Sequence, residues 1–404
     1  MKLENSIFDR IYHKRLDQNL LDNYDNDEAK LAEVKRFIGK LLLSKNLNIL
    51  IGSGCSINAI PLMGKTFEEV KPELDVSTLG EFDDSDDIEG YLNWLISAIN
   101  FHKGVEKDKF QQSFNLSIDA LVDSMPSFDS YNQNEDSSAG IYKALKNYQL
   151  FYNAIFTKRD NSPIPLAPIN IFTTNYDLFN ENALDNINIH YSLGFQGGMK
   201  RVFNPSMFNL RYVDTENKFK HKWNPVRRFA KLYKLHGSTN WLSEGDKVYL
   251  TDKVIKSADQ VMIYPSYVKY DITNQTPYSE LFRELTLNLQ KPNSVLIVLG
   301  FGFPDEHINQ LIEQALNNED FILLIFGDNE EEKISSFYNR NKMKPNIHLI
   351  GGNYQKKQDK GKLHYFENII QEFLISELNL LNNEEEESKK VDSVSDGKNG
   401  GKNE

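Results

Sequence analysis

One cysteine, Cys55, stands in 404 residues, which excludes an intrachain disulfide and any zinc site built from several cysteines. No stretch approaches eighteen uninterrupted apolar residues, and the first nineteen residues are studded with charge and hold no apolar signal-peptide run. The expectation is a soluble, cytoplasmic protein without a membrane partner. Positive charge is in deficit, with 46 Lys and Arg against 58 Asp and Glu and a formal net charge of -12. A general nucleic-acid-binding surface needs a concentrated positive field, so that balance argues against one.

What is present is a set of short apolar runs rich in Ile, Val, Leu and Phe, bounded by Gly, Asn or Pro, as buried parallel strands are. They are Leu47 to Ile51, Ile169 to Thr173, Leu232 to Leu235, Val261 to Tyr264, Val295 to Leu299, Phe321 to Phe326 and Ile347 to Ile350. A helix-spaced stripe, Leu31, Val34, Ile38, Leu41 and Leu42, leads into the first of them. The fold expected is α/β, a Rossmann-like doubly wound parallel sheet. More than a hundred residues separate the first two strands, beyond an ordinary crossover, so a helical insert is expected there. Its stripes are Tyr91, Trp94, Leu95, Ala98 and Ile99, then Ile141, Leu145, Tyr148, Tyr152 and Ile155. The acidic stretch before it and the polar turn-rich Ser124 to Ser138 read as surface linkers. The chain thus divides into an N-terminal helical segment (1–44), the Rossmann domain (45–80 and 160–383), the helical insert (81–159) and a polar tail (384–404). A last helix is expected over Leu363 to Leu381, and the tail, with Glu384 to Glu387, is too poor in apolar residues to order itself.

Four segments follow strand ends, where doubly wound folds bind ligands. Gly52-Ser53-Gly54-Cys55-Ser56 lets a backbone approach a ligand and cradle a pyrophosphate, although the third glycine of a full dinucleotide fingerprint is missing. Thr173-Thr174-Asn175-Tyr176-Asp177 offers an amide and a carboxylate two residues apart, suited to ribose hydroxyls and a carboxamide, or to capping the next helix. Leu235-His236-Gly237-Ser238 places an imidazole at a strand end, either as a structural hydrogen bonder or as a base of suitable pKa. Gly300-Phe301-Gly302-Phe303-Pro304-Asp305-Glu306-His307 again permits close backbone approach, with Asp305 and His307 read as the cap and start of a helix to Leu316.

Taken together and in this order, the four segments resemble the sirtuin family, and in particular its prokaryotic antiviral-defence branch. That family carries a Gly-Ala-Gly-x-Ser loop, a Thr-Gln-Asn-x-Asp segment, a Leu-His-Gly segment and a Gly-Ser/Thr-Ser segment. The resemblance spans roughly residues 45 to 330. It implies that Gly52, Ser53, Gly54, Ser56 and Thr174 line the phosphate and ribose site of NAD. Asn175 would hold the nicotinamide ribose, Asp177 the carboxamide, and His236 would act as general base. Gly300 and Gly302 would approach the adenosine half and Asp328 its ribose.

The resemblance is incomplete. Its four-cysteine zinc ribbon has no counterpart here, the acyl-peptide strand is replaced by Ile263-Tyr264-Pro265-Ser266-Tyr267, and the Pro-Asp-Phe-Arg stretch by Ile60-Pro61-Leu62-Met63-Gly64. NAD is then expected as substrate, without zinc, and water as the nucleophile. The implied activity is an NAD hydrolase that depletes NAD in antiphage defence (abortive infection) and is activated by oligomerisation or by a partner such as a HerA-like ATPase or an Argonaute-like protein. Cyclisation of the ADP-ribose product is left open. So are a sensor that binds NAD or ADP-ribose without turnover, and a zinc-free deacylase or ADP-ribosyltransferase. The run Lys218 to Trp223, continued by Arg227, Arg228, Lys231 and Lys234, is weighed as a nucleic-acid contact against a solvated loop and strand edge.

Overall fold

The computed structural model describes residues 11–82, 88–132, 139–219, 221–254, 260–262, 276–356 and 359–375. Nine strands form the central sheet: β1 (Tyr12–Arg15), β2 (Gln18–Asn19), β3 (Asn46–Ile51), β4 (Ile169–Thr173), β5 (His190–Ser192), β6 (Phe229–Lys234), β7 (Ser294–Leu299), β8 (Ile322–Phe326) and β9 (Ile347–Gly351). Their order is β2-β1-β9-β8-β7-β3-β4-β6-β5. From β9 to β5 every pairing is parallel, while β1 runs antiparallel to β9 and β2 antiparallel to β1. The expected α/β doubly wound sheet is therefore present.

Alternation along each strand explains why both faces are covered. Ile49 and Ile51 of β3 point into one core cluster and Leu50 into another, and Ile297 and Leu299 of β7 oppose Leu296 and Val298 in the same way. The first cluster is closed by helices α1 (Asp27–Leu42), α6 (Ala139–Asp160) and α7 (Phe179–Asn186), through Ile38, Tyr152 and Leu184 among others. The second is closed by α8 (Tyr278–Leu289), α9 (Glu306–Ala315) and α10 (Glu332–Asn341), through Leu285, Ile312 and Phe337. At α1 the sequence signals operate as they should: Asn26 accepts from the Ala29 amide at 2.9 Å and Asp27 and Glu28 lie in the first turn.

The insert falls in two packing environments. Its helices α4 (Ile88–Phe101) and α5 (Val105–Asp123) gather with α2 (Met63–Val70) and the short α3 (Val76–Glu81), which belong to the stretch assigned to the Rossmann domain, around a third cluster containing Phe67, Tyr91, Leu95 and Leu121. The stripe on α6, by contrast, faces the central sheet. Residues 1–44, read as helical, contribute α1 and also the edge strands β1 and β2; these are too short and polar to announce themselves.

Val261 to Tyr264 departs from its expected role as a buried parallel strand. The strand there is Gln260–Met262, and it pairs antiparallel with Gly237–Glu244 in a separate five-stranded sheet completed by Lys247–Leu250, Arg201–Phe203 and Phe195–Gln196. An apolar run of four residues carries no information about its partner's direction. The replacement strand Ile263 to Tyr267 and the tail 384–404 lie outside the described residues. Of the expected last helix, Phe366–Ile369 is α-helical and continues as a π turn over Ile370–Leu374.

Candidate active site

β3 lies between β4, which starts one half of the sheet, and β7, which starts the other, so the strand order reverses beside it. The C-terminal ends of these strands form the crevice in which doubly wound folds bind ligands. A cavity of about 150 Å³ opens there. Ser53 and Ser56 reach it from the loop after β3, Thr174 to Asp177 from the loop after β4, His236 from the end of β6, and Gly300, Gly302 and Asp305 from the loop after β7.

The β4 loop is held by side chains. Thr173 Oγ1 donates to the Ile51 carbonyl at 2.8 Å and accepts from the Asn175 amide at 3.0 Å. Asn175 Nδ2 donates to the Gly52 carbonyl at 3.1 Å and to Ser56 Oγ at 3.3 Å. Its Oδ1, buried at the cavity, has no hydrogen-bond partner. A buried amide oxygen left unpaired costs about 1–3 kcal/mol, so it is an acceptor waiting for a donor.

Asp177 is held at both carboxylate oxygens. Its Oδ1 accepts from the Phe179 amide at 3.1 Å, capping α7, and its Oδ2 accepts from Ser56 Oγ at 3.0 Å. Burial pushes its carboxyl up, opposed by the Lys234 charge and by hydrogen bonds from Phe179, Ser56 and Asn175. Lys234, fully buried at the end of β6, donates to the carbonyls of Tyr176 and Asp177 and to Glu181 Oε1. Behind Ser56, the Tyr148 hydroxyl from α6 lies 3.0 Å from Ser56 Oγ. Cys55 lies beneath, and burial raises its thiol well above the ordinary range, which makes it inert.

The glycines divide. A Cβ on Gly52 or Gly54 would strike the Gly300 backbone, and one on Gly300, at φ +60°, would meet the Cys55 amide nitrogen at 2.5 Å. These three let the loops after β3 and β7 cross in contact, tied by Gly52 N–H to the Leu299 carbonyl and Gly54 N–H to the Gly300 carbonyl, both 2.9 Å. Gly302 has open space where a Cβ would stand and lines the cavity.

Asp305, expected as a helix cap, holds that position at α9 without the side-chain bond that defines the role; its Oδ1 lies 3.8 Å from His236 Nε2 with both side chains buried. His307 does begin α9, half-buried with its ring edge-on to Phe282. Asp328 lies apart from the cavity. Its carboxylate pairs with Lys362 at 2.5 Å and accepts from the Glu330 amide at 2.9 Å; burial raises its pKa, but these contacts outweigh it and hold the group below the usual value.

Sequence reasoning missed one wall of the cavity: Thr66 from α2, ahead of the insert, and Leu121 and Met125 from α5 and its end, within it. Thr66 Oγ1 is a second buried polar atom without a partner. The basic run does not form one surface. Lys218 lies 3.7 Å over the exposed Trp223 ring on a hairpin, Arg228 pairs with Asp160, and Lys234 is buried under the β4 loop. A second cavity, of about 220 Å³, lies at the opposite end of β4 and β6 beside Ile169 and Phe229. Two of its arginines are committed to main-chain carbonyls, Arg159 to Leu42, Ser44 and Ala167, and Arg211 to Val226.

Among the described residues no group of three or more His, Cys, Asp or Glu is placed to hold a metal, and no helix is long and apolar enough to cross a membrane. No curated protein matches the chain. Residues 169–348, less than half of the chain, match the family model of the SIR2-like domain. The glycine loop after β3 lies before that stretch and reaches the site by pairing between β4 and β7. A SIR2-like domain, of a family that binds NAD and is typically NAD-dependent, thus carries the segments of Asn175, His236 and Asp305, which supports a sirtuin-like family for this chain.

Proposed function

We propose that the protein is an NAD glycohydrolase, releasing nicotinamide and ADP-ribose from NAD and water. The observation that carries the reading is the gathering of Asn175, Asp177 and His236 around one cavity at the switch point, with the Asn175 amide oxygen unpaired. A cavity of about 150 Å³ suits a single aromatic ring rather than a whole dinucleotide. The nicotinamide end is the part it takes.

In the reaction a water oxygen bonds to C1′ of the ribose while the C1′–N bond breaks. The electron pair of that bond neutralises the pyridinium, and the water proton passes to His236. Asn175, its Nδ2 fixed by Gly52 and Ser56, offers Oδ1 to a ribose hydroxyl or to the attacking water. Asp177, fixed by Ser56 and the α7 amide, faces the departing carboxamide. Base assistance contributes about a hundred- to ten-thousandfold, and the remainder comes from orientation and exclusion of bulk water by Leu121 and Met125. On the same reading the activity depletes NAD in antiphage defence and is silent until oligomerisation or a partner, such as a HerA-like ATPase or an Argonaute-like protein, releases it. Support for that role comes from the resemblance of the four segments to the defence branch.

The test is purified full chain incubated with NAD, alone and with the product of the neighbouring gene, with nicotinamide and ADP-ribose quantified. Equimolar release is expected. His236→Ala and Asn175→Ala should each lower turnover at least about a thousandfold while the melting transition remains cooperative. Substantial turnover in either variant removes that residue from the mechanism, and an absence of cleavage under both conditions rejects the reading.

A further inference from the structure

We infer that Asp305 is a positioning residue that works through His236, its carboxylate holding the imidazole in place and stabilising the imidazolium formed when His236 takes the proton of the attacking water. This rests on the NAD-cleavage reading for its chemistry, and on the geometry of the pair for its existence.

An aspartate at a helix N-terminus ordinarily accepts from the amides of the first turn, a bond worth about 1 kcal/mol. Asp305 forgoes it. Its backbone is extended (φ -91°, ψ 98°), its side chain is buried, and Oδ1 faces His236 Nε2 at 3.8 Å. That distance exceeds a direct hydrogen bond, so the link is coulombic. A buried carboxylate is costly unless a positive partner faces it, and His236 supplies one in the protonated state.

The loop is built to hold that orientation. Phe303 has φ +57° and is buried with its ring stacked on Phe337 at 4.3 Å, and Asn309 Nδ2 donates to the Phe303 carbonyl at 3.1 Å. A left-handed backbone at a bulky residue is sparsely populated and persists only where surrounding contacts impose it. The rigid Pro304 then delivers Asp305 to the cavity rather than to the helix.

The titratable residues lining the cavity are Tyr176, Asp177, His236 and Asp305. Asp177 is committed to Ser56 and the Phe179 amide, and the Tyr176 ring lies 6.4 Å from that of His236. Lys234, two residues upstream, binds the Tyr176 and Asp177 carbonyls, and His307 packs on Phe282. Among the described residues, Asp305 is therefore the anion placed to change His236 most directly.

The experiment is a proton NMR titration of the histidine rings in the full chain, with the His236 signal identified by its loss in His236→Gln, combined with pH profiles of kcat. In Asp305→Asn the His236 midpoint should fall by about 1 to 3 pH units, as for loss of an opposite charge at this range. The acidic limb of kcat should move to lower pH by the same amount. Plateau kcat should drop about ten- to a hundredfold with KM for NAD within about twofold, a loss smaller than removing the base itself. An unchanged midpoint and limb overturn the proposal. The midpoint is read without substrate, so a chain that never cleaves NAD sinks the functional reading while the titration still decides the pair. Should Asp305→Asn fail to fold, Asp305→Ser, which supplies a capping hydroxyl, is judged by the same midpoint.

Discussion

The loop after β4 and the loop after β7 enter the same cavity but are held by different means. The first is fastened by side-chain hydrogen bonds: Thr173 to Ile51, Asn175 to Gly52 and Ser56, and Lys234 to two successive carbonyls. The second is fastened mainly by shape, with Gly300 pressed against the β3 loop and Phe301 and Phe303 buried as anchors, and by one side-chain bond, from Asn309 to the Phe303 carbonyl. Each presents a polar group to the cavity, the unpaired Asn175 Oδ1 in one and, in the other, the Asp305 carboxylate, which makes no capping bond to its own helix. Loops fastened on both sides of the cavity suit the orientation-driven catalysis that the proposed NAD cleavage requires.

The comparison breaks most sharply at Lys234. Lys234→Met should remove the fastening of the β4 loop and leave Glu181 buried without its cation, at a cost of about 3–5 kcal/mol in denaturant unfolding. The pH dependence of that cost is a further check. Burial already raises Asp177 and Glu181, and Lys234 opposes the rise. Without it their folded pKa values climb further above the unfolded ones, so the folded state binds more protons and loses stability as pH rises. The variant should therefore be more severely destabilised at pH 8 than at pH 5. A loss independent of pH, or below about 1 kcal/mol, would mean that the loop does not depend on its lysine.

The β7 loop should break at Gly300 and not at Gly302. In Gly300→Ala the methyl meets the Cys55 amide nitrogen at 2.5 Å in a left-handed backbone. The expected loss is about 2–4 kcal/mol, combining conformational strain with overpacking. Gly302→Ala places its methyl in open space at the cavity. Its melting temperature should match the parent and KM for NAD should rise severalfold. Equal destabilisation by both substitutions, measured by thermal unfolding, would show that shape does not distinguish the two glycines.

How much of this was legible in the sequence follows from where the information lies. The strands β3, β4, β7, β8 and β9 are mostly apolar, with Asn48, Asn170 and His348 among the buried polar exceptions, because burial on both faces demands it, and their runs are readable at once. β1 carries His13 and Lys14 and pairs only at the sheet edge, and β2 has two residues, so neither has a pattern to read. The site was legible in the same proportion. Asn175, Asp177 and His236 stand where strand ends place them. Thr66 follows the glycine loop by only ten residues, but nothing in its local sequence shows that α2 packs it onto the cavity. Asp305 obeyed the local rule for a helix cap, and a tertiary contact with His236 overrode it. Gly52, Gly54, Gly300 and Gly302 look alike as letters; only the crossing of two loops separates three that must touch from one that stays open.

The smallest expected effect separates both loops from the sheet edge, where polar groups close on one another. His13 Nε2 lies 2.9 Å from His348 Nδ1 between β1 and β9, and the Phe37 ring lies 4.7 Å from each imidazole. Burial lowers His13 to about 4, with Glu33 opposing and Arg15 assisting; burial, His13 and Arg15 lower His348 to about 3. Both folded values lie below the ordinary 6.5, so the unfolded chain binds more protons and stability held at pH 7 is lost as pH falls through 6.5 toward 4. About 2 kcal/mol per histidine should disappear between pH 7 and pH 5 in urea unfolding, and His348→Gln should roughly halve that dependence while leaving NAD turnover at pH 7.5 as in the parent. The same background keeps the acidic limb of the kcat profile free of unfolding, so that it reports His236 and Asp305. If the loss between pH 7 and pH 5 persists in full in His348→Gln, acid sensitivity belongs to the cavity loops, and the division between an open site and a closed edge fails.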